Sequence, residues 1–90
     1  MRQAPLTIAN AQGLHARPAA EFVKVSSRFR SEIFVRREDL EVNGKSILGV
    51  MMLAAEQGAV IEVRAEGPDE DEALAALARL VENKFGLDEA

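Results

Sequence analysis

The segment Val60–Glu66 constrains the fold more than any other part of the sequence, because apolar and charged side chains alternate along it. Its apolar members are Ile61, Val63 and Ala65, and its charged members are Glu62, Arg64 and Glu66. Successive side chains of a β-strand point to opposite faces of a sheet, so the pattern predicts a strand with one buried face and one face in water. Strands of this kind are typical of antiparallel sheets covered on one side.

Six other segments are predicted to form regular structure. Strands are expected at residues 6–8, 32–36 and 40–42, and amphipathic helices at residues 16–28, at residues 47–56 and after Asp69. The resulting order is strand, helix, strand, strand, helix, strand, helix. It predicts an α+β fold, a two-layer open-faced sandwich in which a four-stranded antiparallel sheet carries all three helices on one face.

Particular residues are predicted to set the ends of the second and third helices. Ser46 is expected to cap the N-terminus of the second helix, and Gly58 to end it in a left-handed conformation. Asp69 is expected to begin the third helix in a capping box with Glu72. The apolar stripe of the third helix is predicted to consist of Leu74, Leu77, Ala78, Val81 and Phe85.

Length and composition favour one small globular domain over residues 1–90. With 48% hydrophobic residues, 29% charged residues and no cysteine, its stability has to come from packing. No signal peptide or membrane-length apolar run is apparent, so we expect a cytoplasmic protein without membrane insertion. A net charge of -4 argues against nucleic-acid binding. Basic residues in the first half leave open a local contact with an acidic partner, to which Lys24 would contribute unless it is simply solvated.

The chain has one histidine, His15, which follows a glycine turn and directly precedes the first predicted helix. The free N–H groups at a helix start, here including that of Ala16, favour an anion. A neutral imidazole there is a nucleophile for phosphorus, Arg17 can bind the phosphoryl oxygens, and Pro18 fixes the direction of the first turn. This arrangement suits phosphoryl transfer. The alternative is an ordinary loop histidine beside a solvated arginine. A metal site is not predicted, since no second histidine or cysteine is present.

Residues 13–19, with the sequence Gly-Leu-His-Ala-Arg-Pro-Ala, resemble the active-site signature of the HPr family. These proteins are phosphocarriers of the bacterial phosphoenolpyruvate-dependent phosphotransferase system, and the resemblance covers nearly the whole chain. It implies a strand order of 1-4-2-3, phosphorylation of His15 at Nδ1 by enzyme I, and donation to the IIA domains of sugar permeases. It further implies a monomeric carrier that is not itself an enzyme and uses no cofactor.

A second candidate site begins at Ser46. The four apolar residues around it on the predicted helix are Ile47, Leu48, Met51 and Met52. At about 100° per residue they cannot all face the sheet, and an exposed cluster with flexible methionines suits docking to several partners. The alternative is that Val50, Leu53 and Ala54 enter the core and the rest is incidental surface.

Residues 44–51 are similar to the HPr segment that carries a regulatory serine, in the version modified by HPr kinase/phosphorylase. The resemblance implies that Ser46 is a phosphorylation site. A phosphate adds about two negative charges, which would impede docking without unfolding a helix that begins there. The alternative is a serine that only caps.

Two other functions stay open at this point. A carrier of the nitrogen-related regulatory branch (NPr-like) would have the same fold and chemistry. A regulatory interaction module would use the serine and leave His15 idle. An independent enzyme is disfavoured, because the candidate site has one nucleophile and no separate base.

Overall fold

The computed structural model describes residues 1–87, which contain four strands, three α-helices and a short 3₁₀ turn. In chain order these are β1 (Arg2–Thr7), α1 (Ala16–Ser26), β2 (Glu32–Arg37), β3 (Leu40–Asn43), α2 (Ile47–Met52), β4 (Val60–Glu66), α3 (Glu70–Glu82) and the 3₁₀ turn Lys84–Gly86. The chain thus follows the predicted element order.

The four strands form one antiparallel sheet in the order β1-β4-β2-β3. β4 lies inside the sheet, where Ala4 and Val35 flank Val63 from β1 and β2 respectively. β3 pairs with the other side of β2 and forms one edge, as Val42 opposite Val35 shows. The predicted α+β fold and the strand order implied by the resemblance are confirmed.

Alternation along β4 places its apolar side chains in the core. Ile61, Val63 and Ala65 are buried and pack with Phe22 from α1 and Leu77 from α3. The other face of the sheet is open, and there the guanidinium carbon of Arg64 lies 4.5 Å from the ring centroid of Phe34. The helices therefore cover one face, as predicted.

The boundaries of two early elements differ from the prediction. β1 begins at Arg2 rather than at residue 6 and ends before Ile8. Its first residues lack the β-branched pattern that marks strands, and Pro5 is tolerated because β1 is an edge strand. α1 ends at Ser26, whose Oγ donates to the carbonyl oxygen of Gly44 at 2.7 Å.

The predicted end of α2 is wrong, because the helix stops at Met52 and Gly58 does not terminate it. The N–H groups of Leu53 and Ala54 donate to Val50 and Met51, in the tighter i→i−3 pattern. Ala54 then takes a φ of 49° and turns the chain away. The positive φ of Gly58 belongs to the turn before β4, where its N–H donates to the carbonyl of Ile8 at 2.8 Å.

The predicted capping box at α3 is also wrong. Asp69 occupies the N-cap position, but its φ of −117° and ψ of 31° do not aim the carboxylate at the helix. The carboxylate instead accepts hydrogen bonds from the N–H of Arg30 and from both the N–H and Oγ of Ser31. These bonds tie the start of α3 to the loop before β2.

The apolar stripe of α3 is largely as predicted. Leu77 and Val81 are fully buried, while Leu74 and Ala78 are half-buried against the core. Phe85 is buried too, although it lies beyond α3 in the 3₁₀ turn with a φ of 62°.

Candidate functional site

The loop between β1 and α1 fixes the backbone directly before His15. The buried Asn10 donates from Nδ2 to the Gly13 carbonyl at 2.8 Å, and the Gly13 N–H donates back to the Asn10 carbonyl at 3.2 Å. Gly13 has a φ of 69°, and a Cβ there would collide with the carbonyl oxygen of Ala55. The N–H of the buried Leu14 donates to that same oxygen at 2.8 Å. The turn is therefore held from both sides.

His15 is exposed and occupies the N-cap position of α1. Its carbonyl accepts the N–H of Ala19 at 2.9 Å, whereas its imidazole forms no capping hydrogen bond with the helix. His15 lines an open recess of about 200 Å³ together with Gln12, Leu14 and residues 54–56. The ring is thus accessible to a second molecule.

The first turn of α1 presents donors without partners. Within residues 1–87, no acceptor binds the N–H of Ala16 or Arg17, and none forms an ion pair with the exposed Arg17 side chain. No acidic residue lies in this turn. The buried Pro18 belongs to it and holds its conformation. Two amides and one guanidinium are therefore available to an anion at His15.

Ser46 caps α2, as predicted. Its backbone is extended and its Oγ accepts the N–H of Gly49 at 3.0 Å. Ser46 is not among the residues that line the recess beside His15.

The apolar residues after Ser46 form an exposed surface, which we call the α2 patch. It consists of Ile47, Leu48, Met51 and Met52. Leu48 is 71% exposed and Met52 61% exposed, so the expectation that the set cannot all face the sheet is confirmed. Val50 and Leu53 supply the buried side, whereas Ala54 is exposed and does not enter the core.

Helices α1 and α2 contact each other, and residues 54–56, which follow α2, line the recess at His15. Lys24 lies at the other end of α1, about 14 Å from His15 along the helix axis. Its Nζ is 3.4 Å from Oε2 of Glu21. The structure therefore does not bring Lys24 to the histidine.

Three residues near the recess had no role in the sequence-based prediction. Asn10 could have been found from the sequence, since it begins the predicted turn of residues 10–13 that precedes His15, and asparagine is a common turn residue. Arg37 and Glu56 could not, because only the fold brings β2 to the segment after α2. Nη1 of Arg37 donates to the carbonyl of Ala54 at 2.7 Å, and Nη2 lies 3.0 Å from Oε1 of Glu56.

The part of the chain that the structure describes contains no group of three or more His, Cys, Asp or Glu residues placed to hold a metal ion. In the same part, no helix combines the length and apolar character needed to cross a membrane.

Comparison with known proteins places these features in a family. The family model described as "PTS HPr component phosphorylation site" matches residues 2–83. Phosphocarrier protein HPr of Neisseria meningitidis serogroup A is 48% identical over 86 residues, which cover 96% of this chain and 97% of that protein.

Solved structures agree with the sequence comparisons. The crystal structure of HPr-C-His from Thermoanaerobacter tengcongensis superimposes with a TM-score of 0.93 at 48% identity, over 99% of this chain and all of that one. A crystal structure of an HPr dimer from the same organism has a TM-score of 0.77 at 49% identity, over 97% of this chain and 100% of that one. Beside that dimer, the expectation of a monomer stays a prediction.

Family match, sequence identity and fold agree over nearly the whole chain. The chain belongs to the HPr family, the phosphocarrier proteins of the phosphotransferase system.

Proposed function

We propose that His15 accepts a phosphoryl group from enzyme I and donates it to the IIA domains of sugar permeases. The observation that carries this proposal is the exposed imidazole beside two helix amides and the Arg17 guanidinium, none of which has a partner within residues 1–87. An anion bound there would meet fixed donors and the positive end of the α1 dipole. Phosphoryl transfer depends mainly on such positioning and charge neutralisation.

In the proposed step, the lone pair of Nδ1 forms a bond to phosphorus while the bond between phosphorus and its donor on enzyme I breaks. The bonding electrons leave with the donor group. The amides of Ala16 and Arg17 and the guanidinium of Arg17 receive the phosphoryl oxygens, and Pro18 keeps the first turn in place. Transfer to a IIA domain is the same step with the acceptor exchanged.

The protein supplies one nucleophile and relies on its partners for the rest of the reaction. His15 lines only an open recess of about 200 Å³, so the partner's active site has to enclose the reacting atoms. The protein is therefore proposed to be a reactant and not an enzyme. A cytoplasmic location and a single domain over residues 1–90 belong to the same proposal.

The α2 patch is proposed as the surface that enzyme I and the IIA domains bind. Exposed apolar clusters with methionine suit a site that several partners share. Ser46, at its edge, is proposed as a site for HPr kinase/phosphorylase. A phosphate there would keep its favourable position at the helix start and place charge beside the patch.

A direct experiment tests the proposal. The protein is incubated with enzyme I and phosphoenolpyruvate, and the intact mass is measured before and after mild acid treatment, with His15→Ala as the control. One phosphoryl group that acid removes, and that the variant lacks, is the expected result. An acid-stable adduct, or equal labelling of the variant, would contradict it.

A further inference from the structure

Arg37, at the end of β2, links the sheet to the segment that follows α2. Its Nη1 donates to the carbonyls of Leu53 at 3.2 Å and Ala54 at 2.7 Å, and its Nη2 pairs with Glu56 at 3.0 Å. One guanidinium therefore binds three residues of the four-residue stretch 53–56. Its fork of donors is suited to such multiple contacts, which a lysine could not reproduce.

The stretch that Arg37 holds contains a strained residue. Ala54 has a φ of 49°, a conformation that disfavours residues with a Cβ and persists only where the surroundings enforce it. The bond from Arg37 to the Ala54 carbonyl is one such constraint. Without it, residues 53–56 lose one of the contacts that fix the turn at the end of α2.

The same stretch forms the wall behind His15. The Ala55 carbonyl accepts the N–H of Leu14, and Gly13 packs against that carbonyl so closely that no Cβ fits. Ala54, Ala55 and Glu56 line the recess that His15 also lines. A displacement of residues 54–56 would therefore move Leu14 and, with it, the adjoining His15.

We propose that Arg37 is a positioning residue for phosphoryl transfer: by clamping residues 53–56 it fixes the backbone that aims His15. The inference rests on the proposed function of His15. Arg37 itself acts through Ala55 and Leu14 and is not proposed to touch the phosphoryl group. A small misplacement of reacting groups lowers the rate of the chemical step far more than it weakens binding.

The kinetic test compares Arg37→Met with Arg36→Met as acceptors from enzyme I. Methionine keeps the apolar part of the arginine side chain and removes the guanidinium with its N–H donors and its charge. Arg36 precedes Arg37 on β2, is exposed, and has Glu41 and Glu62 as its register partners, so its variant makes the same charge change away from residues 53–56. Both variants are assayed well below their melting temperatures.

We expect Arg37→Met to lower kcat about tenfold while KM for the carrier stays within about twofold. Arg36→Met should leave both constants near wild type, and Arg37→Lys should recover part of kcat. An unchanged kcat in folded Arg37→Met, or a change confined to KM, would overturn the proposal.

A double variant separates positioning from simple charge. In Arg37→Met, the carboxylate of Glu56 loses its partner beside an incoming anion. If that charge were the whole effect, adding Glu56→Gln would restore kcat to the wild-type value, which would overturn the proposal. We expect the double variant to stay at least about threefold below wild type, because the clamp on Leu53 and Ala54 is still missing.

Hydrogen exchange tests the positioning without phosphoryl transfer. The Leu14 amide, which donates to Ala55, should exchange about tenfold faster in Arg37→Met than in wild type or Arg36→Met. An unchanged Leu14 amide would overturn the inference even if transfer to His15 is normal. Faster exchange in a protein that enzyme I does not phosphorylate would support the clamp and contradict the proposed function instead.

Discussion

At the scale of single residues, His15 and Arg17 divide the proposed work between a nucleophile and an anion binder. Both side chains are exposed, so neither is required for the core. The sequence predicts this pair because the chain has one histidine, and because a glycine turn before a helix start is visible in the order of residues. It does not predict Arg37, since its partners are 16 to 19 positions away and meet it only through the fold.

Replacing Arg17 should affect transfer much more than folding. In Arg17→Ala the phosphoryl oxygens lose their guanidinium, so phosphorylation of His15 should slow at least about tenfold, or ~1.4 kcal/mol of barrier. The melting temperature should change little, because Arg17 is exposed and forms no ion pair with residues 1–87. Stopped-flow transfer and thermal melts measure the two effects. Near-normal transfer rates in Arg17→Ala would contradict the proposed role of Arg17 in binding the phosphoryl group.

Ala54 offers a test of backbone strain. Ala54→Gly should raise the free energy of unfolding by about 0.5–1 kcal/mol, because glycine adopts a positive φ without steric penalty and the exposed Ala54 methyl adds little packing. Denaturant unfolding measures the change. As a control, Ala75→Gly at an exposed position of α3 should lower stability by a similar amount. A loss of stability in Ala54→Gly would mean that the turn is not strained.

At the scale of elements, local signals predict starts of helices better than their ends. Ser46 begins α2 as expected, because its cap is made within four residues. The end of α2 was predicted wrongly, and the residues that follow it are bound by Arg37 from β2. Asp69 occupies the N-cap of α3 as predicted, but its carboxylate binds Ser31 before β2, so only the capping box with Glu72 was wrong. Capping by distant partners leaves no local pattern to recognise.

Two Ser46 variants separate the cap from the proposed regulatory site. Ser46→Ala should lower the free energy of unfolding by roughly 1 kcal/mol, because the hydrogen bond from the Gly49 N–H is lost. Docking to enzyme I should stay intact in this variant. Ser46→Asp should keep the cap but raise the KM of enzyme I for the carrier, because an unpaired charge beside the α2 patch has to be desolvated. Denaturant unfolding and initial rates give both quantities. Unchanged enzyme I kinetics in folded Ser46→Asp would mean that Ser46 caps α2 but does not control docking.

The contact between α3 and the loop before β2 should make stability depend on pH. The hydrogen bond from the Ser31 hydroxyl, followed by that from the Arg30 N–H, lowers the pKa of Asp69 from 3.8 to about 2. The stabilisation by ionised Asp69 is therefore present above about pH 4 and is lost as the pH falls toward 2. Asp69→Asn should melt at a lower temperature at pH 7, and the difference should shrink between pH 4 and pH 2. A difference that does not depend on pH would contradict this assignment.

At the scale of the whole molecule, one layer of helices carries both proposed sites while the opposite face of the sheet stays open. The alternation in Val60–Glu66 predicted this architecture together with the element order and the three amphipathic helices, because a strand with one wet face requires its cover on the other side. Helices α1 and α2 contact each other, so a partner bound to the α2 patch approaches the same layer that holds His15. The site itself is open, and this is why a carrier of this size is proposed to complete its chemistry inside a partner.

Nitrogen NMR of the protein with labelled histidine, recorded during incubation with enzyme I and phosphoenolpyruvate, tests the phosphorylation of His15 directly. Because His15 is the only histidine in the sequence, the spectrum reports one imidazole. We predict that the Nδ1 resonance shifts and shows coupling to phosphorus, and that both changes reverse when a IIA domain is added. An imidazole spectrum that does not change while the protein gains a phosphoryl group would contradict this prediction.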